Sequence, residues 1–450
     1  MQQARLGRYS FLMADPVEWF QPEADEASET FAWLDARLDK YKRPVIDDLP
    51  PFQGGIAGLF EYEFNALVEP SSNIAVHANR HPVSLGVYDV VLAWDHQEQR
   101  CYVISTGVPE QADHSRATER AEWIVSLLSD DAAEHTTNLN QLTDPFTSEE
   151  QSGYPCDGAP HLKSNFHREQ YLQTIERALE YIHAGDIFQV NIAQQLVHQA
   201  TSSAMQLYRS LRNCNPSTFA ALFDTGIRQI ISASPERLVS VRGNKVETRP
   251  IKGTRRRTSH PEVDIDVAHQ LLASDKDRAE NVMIVDLMRN DLSRICLDDS
   301  VSVSQFVQLE SYASVLHLVS AIEGQLQPNT LASDLLRAVF PGGSITGAPK
   351  VRSMEIIAEL EPWRRGPYCG SLGYFGFNGN VDLNILIRTI TQEAGVWRVP
   401  VGGGIVADSD PQDEFEETWT KAYGMLKAIA DSTPGYHAAK ANSESLRSQP

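Results

Sequence analysis

The chain has 450 residues, a formal net charge of −21, 42% hydrophobic and 22% charged residues. That length exceeds the roughly 250–300 residues beyond which a single core stops growing, so two lobes are expected, and the composition is that of a globular enzyme rather than a disordered chain. No Lys or Arg run is longer than Arg255-Arg256-Arg257, which argues against nucleic acid or an anionic membrane as the main partner, because both require a basic face.

The apolar runs are too short to span a bilayer and the amino end lacks a signal-peptide pattern, so a cytoplasmic location is expected. Cys101, Cys156, Cys214, Cys296 and Cys369 are odd in number and form no CxxC pair. Neither a disulfide framework nor a thiolate zinc site is indicated.

In chain order, residues 7 to 105 read as short strands: Tyr9 to Met13, Gly54 to Phe60, Val83 to Trp94 and Cys101 to Ser105. A helix follows near Ala117 to Leu128. From Asp130 to His161 the sequence is rich in Asp, Thr, Ser, Pro and Gly and reads as a linker or surface loop. His167 to His183 has helical apolar spacing that ends at Gly185. Strands are expected at Phe188 to Leu196, Gln229 to Ser232, Arg237 to Val241, Gly373 to Phe377 and Val381 to Ile390. Helices are expected at Val267 to Asp291, Ala332 to Val339, Pro349 to Leu360 and Pro411 to Ala430. The class is α+β with antiparallel sheet. Four regions follow: an N-terminal lobe over 1–130, a linker over 131–161, a catalytic domain over 162–431 and a disordered polar tail over 432–450.

Pro250-Ile251-Lys252-Gly253-Thr254 places one lysine between a rigid residue and a flexible one, just after an apparent strand. That setting suits a nucleophile; a solvated lysine at a turn is the alternative. In the last helix Glu414, Glu417 and Lys421 share a face away from the apolar stripe of Phe415, Trp419, Ala422, Leu426 and Ile429. Alone, this is a solvated helix face. Glu280 precedes a run, Val282 to Met288, expected to be buried nearly all round, and a buried carboxylate needs a partner. Carboxylates from two helices, with no Cys or His between them, suit a hard cation, magnesium first.

Gly342 to Lys350 resembles a phosphate loop, but Ala348-Pro349 intervene before Lys350 and Val351 follows it, so a Walker A reading fails. What survives is a loop whose amides suit an anion. Gly402-Gly403-Gly404 offers backbone amides for close approach of a carboxylate, or else a tight strand-end turn. Asp408-Ser409-Asp410 lacks the glycine and acid of a calcium loop. Arg388, in the apolar run Leu383 to Ile390, suits a buried bidentate carboxylate clamp. His317 sits in an apolar strand-like run and is by type more often a core histidine than a catalytic one.

Together these segments resemble the chorismate-utilising enzymes over about Gly7 to Lys427. The likeness is densest in Phe188 to Gln194, Ser234 to Leu238, Pro250 to Thr254, Glu280 to Asp291, Phe340 to Arg352, Cys369 to Tyr374 and Gly402 to Ser409. The resemblance implies two facing, largely antiparallel sheets flanked by helices, forming two interlocked lobes. It implies a magnesium site at Glu280, Glu414 and Glu417. Arg388, Tyr374 and the Gly402, Gly403 and Gly404 amides are implied to hold a substrate carboxylate, with Lys421, Thr346 and Thr254 among the binding residues. Glu236 is implied to be the acid that assists departure of the carbon-4 hydroxyl, with His317 beside the ring.

Two positions sort that family by reaction. Relatives that add water carry lysine where this chain has Gln189, and those that aminate carbon 2 usually carry alanine where it has Lys252. Gln189 with Lys252 implies amination of chorismate at carbon 4, in the folate branch, through attack by the lysine amine. Ammonia is expected from a separate glutamine amidotransferase subunit. Relatives also carry a strand pair with a Leu-Leu-[Glu/His]-Ser segment ahead of the Gly7-Arg8-Tyr9-Ser10 position, helping to form a tryptophan pocket. This chain begins just before Gly7, so either the true start lies further upstream or the domain lacks those first strands, and a bound tryptophan is not expected from this sequence.

Overall fold

The structure, a computed structural model, describes residues 6–70, 81–109, 114–129, 153–156, 159–258, 260–311 and 315–433. Most of the 131–161 linker and nearly all of the 432–450 tail therefore lie outside the described residues. The chain divides into two compact units that are not consecutive in sequence. Unit 1 comprises Met1–His135, Glu236–Val351 and Cys369–Leu386; unit 2 comprises Thr136–Pro235, Arg352–Tyr368 and Ile387–Pro450.

Unit 1 is built on a 10-stranded sheet. Its strands follow the order Ile251–Arg256, Val315–Gln325, Lys245–Arg249, Arg237–Arg242, Val381–Asn384, Ser371–Gly376, Gly55–Phe60, Val83–Tyr88 and Glu18–Phe20. Ser302–Ser311 also pairs with Val315–Gln325. Gly55–Phe60 and Val83–Tyr88 are buried along their whole length, as central strands covered on both faces should be. A smaller sheet of Tyr9–Leu12, Val90–Asp95 and Arg100–Ser105 carries Val90 and Leu92 against Ile124 and Trp123 of the helix His114–Ser129.

Unit 2 orders its strands Phe219–Asp224, Gln229–Ser234, Thr389–Glu393, Val396–Ile405, Gln189–Gln199, Ala159–Ser164 and Tyr154–Cys156. One face is covered by the helices Ala204–Cys214 and Pro411–Ser432, with Leu207, Leu211, Met425 and Ile429 packed on Ile231, Trp397, Val399 and Val401. Antiparallel ladders dominate both units, which bears out the α+β reading.

Several expected elements divide. The long helix expected over Val267 to Asp291 is two helices, Pro261–Leu272 and Asp275–Ser293, because the Ser274 hydroxyl caps the second by accepting from the Asp277 amide at 3.2 Å. The strand expected over Val381 to Ile390 is also two, Val381–Asn384 in unit 1 and Thr389–Glu393 in unit 2. The run after Glu280 is amphipathic rather than buried all round: Ile284, Val285 and Met288 are buried, while Val282 is 49% exposed.

Candidate active site

Lys252 does not sit at a turn. It lies in the strand Ile251–Arg256, whose register against Val315–Gln325 shifts between Lys252 and Thr254. The bulge is made by Gly253 at φ +72°, a left-handed conformation in which a Cβ would also approach Leu271 and Asp277 at 3.0–3.1 Å. The Lys252 amine donates to the Ser344 carbonyl at 3.3 Å and stands 4.0 Å from Glu280 Oε2.

The Ser344 hydroxyl donates to Glu236 Oε1 at 2.7 Å. Glu236 is buried at the start of the strand Arg237–Arg242, and that burial lifts its carboxyl to about 7, against the opposing pull of Ser344, Lys252 and the Ile251 amide. Thr254 bonds the buried His317 ring, Oγ1 to Nδ1 at 2.8 Å. Thr346 turns its hydroxyl to the Gly342 carbonyl at 3.0 Å. The turn Gly343–Ile345 that presents Ser344 packs tightly on the Glu280 helix, since a Cβ at Gly343 would come within 2.3 Å of Leu287. Unit 1 thus holds Lys252, Glu236, Glu280, Thr254, His317 and Thr346, and within it Ser344 joins Lys252 to Glu236.

Unit 2 gathers the others. Gly402, Gly403 and Gly404 lie inside the strand Val396–Ile405, opposite Ala193, Ile192 and Asn191, rather than in a strand-end turn. Its other ladder, with Thr389–Glu393, ends at Arg398, so that ladder leaves the glycines uncovered. Lys421 donates to the Gly402 carbonyl at 2.9 Å and pairs with Glu417 at 2.6 Å. A Cβ at Gly403 would stand 3.1 Å from Glu414 Oε2 and 3.5 Å from Lys421 Nζ.

The last helix starts at Asp410, which accepts from the Gln412 and Asp413 amides, with Pro411 at its first position. Glu414 opens the buried face of that helix, with Thr418, Ala422, Met425 and Ile429, instead of lying opposite it. Its Oε1 accepts from Ser409 at 2.6 Å. Gln189 is fully buried at the head of its strand, and neither of its side-chain polar atoms has a hydrogen-bond partner among the described residues.

Arg388 falls outside either strand, at φ +51°, just before Thr389. Burial lowers its pKa, opposed by Tyr368 and Glu417. Tyr368, in the same unit, is thus a tyrosine close enough to act on Arg388. Tyr374 belongs to unit 1, stacks on Phe52 at 4.3 Å, and accepts from Arg242 at 3.0 Å. In the sheet order its strand is separated from the Lys252 strand by four others. The buried Glu361–Arg365 pair, at 2.7 Å, receives the Ala193 amide and gives a bond to the Asn191 carbonyl, fixing the strand opposite the glycines.

The carboxylates implied for a cation are divided, Glu280 in unit 1 and Glu414 and Glu417 in unit 2. Within either unit, no group of three His, Cys, Asp or Glu side chains among the described residues is gathered as a metal site. The donor set is all carboxylate oxygen, which fits a hard divalent cation.

The chorismate binding enzyme family matches residues 2–427. The chain belongs to that family. It is a chorismate-utilising enzyme. Aminodeoxychorismate synthase component 1 of Escherichia coli (strain K12) is 41% identical, covering 86% of this chain and 79% of its own length. Anthranilate synthase component 1 of Synechocystis sp. is 38% identical, covering 94% and 88%. The crystal structure of anthranilate synthase component I from Streptococcus pneumoniae TIGR4 matches with a TM-score of 0.76 and 30% identity, over 93% of this chain and 92% of that one. Identity alone does not separate the two kinds of chorismate enzyme. No helix among the described residues is long and apolar enough to cross a membrane.

Proposed function

We propose that this chorismate-utilising enzyme is an aminodeoxychorismate synthase component 1, converting chorismate and ammonia to 4-amino-4-deoxychorismate. The observation that carries the reading is the sharing of Ser344 by two groups: its carbonyl receives the Lys252 amine, and its hydroxyl holds Glu236, whose carboxyl retains a proton up to about pH 7. A nucleophile and a protonated acid held by one residue suit a substitution in which hydroxide must leave.

The Lys252 amine bonds to ring carbon 2, the double bonds shift, and the carbon-4 C–O bond breaks, with the hydroxyl leaving as water on the Glu236 proton. Ammonia then bonds to carbon 4, the double bonds shift back, and the carbon 2–lysine bond breaks. One difficult substitution becomes two easier ones. Arg388 and the Gly402 to Gly404 amides hold a carboxylate of the substrate, while Lys421 steadies the glycine strand through the Gly402 carbonyl. Gln189 keeps a neutral side chain at the position where water-adding relatives carry lysine. Glu280, Glu414 and Glu417 would hold magnesium, which supplies charge for a ring carboxylate when bound. Ammonia comes from a separate glutamine amidotransferase subunit, in keeping with the component 1 names of the relatives.

The test is to incubate the protein with chorismate, magnesium and ammonium and identify the product. A carbon-4 amine is expected; fluorescent anthranilate as the main product would overturn the reading in favour of anthranilate synthase. Lys252→Ala is expected to abolish chorismate consumption.

A further inference from the structure

We infer that Ser320 and Asn281 form a positioning pair that fixes the Lys252 strand against the helix bearing Glu280. The inference rests on the reading of Lys252 as the nucleophile. Ser320 lies fully buried in the strand Val315–Gln325 and joins three elements at once. Its backbone N–H donates to the Pro250 carbonyl at 3.2 Å, two residues before Lys252. Its hydroxyl donates to Asn281 Oδ1 at 2.6 Å, on the residue after Glu280. The same hydroxyl accepts from the Val307 amide at 3.0 Å.

Two further observations separate this pair from ordinary packing. Val307 has φ +49°, a left-handed conformation that a β-branched residue rarely adopts, within an irregular stretch of the ladder between Gln305 and Gln308. Its amide is aimed at Ser320. Asn281 is fully buried, yet its Nδ2 has no hydrogen-bond partner among the described residues. A buried amide left half-used costs stability that an apolar residue would not, so the bond to Ser320 is what the asparagine contributes.

The geometry matters because the Lys252 amine stands 4.0 Å from Glu280 Oε2. The strand sets the position of the amine and the helix sets that of the carboxylate; Arg255 ties the two directly to each other at Asp277, at 3.1 Å on the exposed side, and the buried link beside Lys252 and Glu280 is Ser320 to Asn281, made through the neighbouring strand Val315–Gln325. Releasing it lets the strand and the helix drift, and a displacement of about 1 Å at a reacting group can cost about 100-fold in rate.

The experiment compares Ser320→Ala, Asn281→Ala and Ser320→Thr with wild type in two readouts. Steady-state amination of chorismate is expected to show kcat lowered about 10- to 100-fold in the two alanine variants, with the chorismate KM nearly unchanged. Labelling by trinitrobenzenesulfonate, followed by peptide mass spectrometry, is expected to rise selectively at Lys252 in both. Ser320→Thr keeps the hydroxyl on a strand residue and is expected to restore both values. Two results would overturn the inference: wild-type kcat and Lys252 labelling in the alanine variants, or labelling that rises equally at every lysine, which marks a general loosening. If one alanine variant fails to fold, the other carries the test. Lys252→Ala run alongside isolates the underlying reading: carbon-4 amination retained in that variant refutes the nucleophile, while the labelling arm, which needs no turnover, still decides whether the pair positions the amine.

Discussion

Glu236→Gln should separate stability from catalysis in a pH-dependent way. Glu236 is 3% exposed, and burial raises its carboxyl from an ordinary 4.5 to about 7 in the folded protein. Since the folded-state value lies above the unfolded one, the folded protein binds the extra proton between those two values. The stability this confers is fully present below about pH 4.5 and is lost as pH rises through about 7. The interval corresponds to about 3 kcal/mol. Glutamine keeps the acceptor for the Ser344 hydroxyl and cannot ionise, so the variant should match wild type near pH 4 and exceed it by about 3 kcal/mol at pH 8. Urea unfolding at half-unit pH steps measures the difference directly. Parallel stability curves for the two proteins from pH 5 to pH 8 would refute the burial argument. In the same variant, loss of carbon-4 amination is expected at every pH, because the leaving hydroxyl no longer finds a proton.

Ser344→Ala removes a hydrogen bond that lowers the Glu236 pKa, so the carboxyl should rise further. The alkaline fall of amination rate should move to higher pH, and a fall that stays in place or moves down contradicts the assignment. Gly402→Ala would drive a methyl to 2.5 Å from the Ile192 carbonyl and 2.7 Å from the Ala193 Cβ, a clash with backbone. A loss of about 1–3 kcal/mol in unfolding free energy is expected. Gly403→Ala meets Glu414 and Lys421 side chains instead, so it should stay folded while chorismate consumption falls.

Much of the chemistry is visible in the sequence because it depends on residue type and short spacing. Pro250 to Thr254, the glutamates of the last helix and the three glycines can each be picked out from local pattern. Their surroundings cannot. Ser344 looks like one small residue in a glycine-rich loop, and only the fold gives it both Lys252 and Glu236. Glu414 was expected on the solvated face because Phe415 and Trp419 mark an apolar stripe; tertiary packing centres the buried face on Ala422 and Met425 and draws Glu414 inward. The fold class followed from strand and turn signals, but the break at residues 385 to 388 did not. A continuous apolar run gives no sign that the chain leaves one sheet and enters another, and Arg388 is displaced from a strand for that reason.

The interleaving of the two units constrains how the protein is made and how it evolves. Gly55–Phe60, buried along its length, pairs on one edge with the nearby Val83–Tyr88 and on the other with Ser371–Gly376. At ribosomal rates of about 5–20 residues per second, the roughly 300 intervening residues take about 15–60 s to emerge. Throughout that interval an apolar strand waits with one edge unpaired, which makes newly made chains a natural client for chaperones. Neither unit can be cut out or exchanged between genes as a single contiguous cassette, so variation should accumulate by substitution within the whole chain rather than by recombination of its parts.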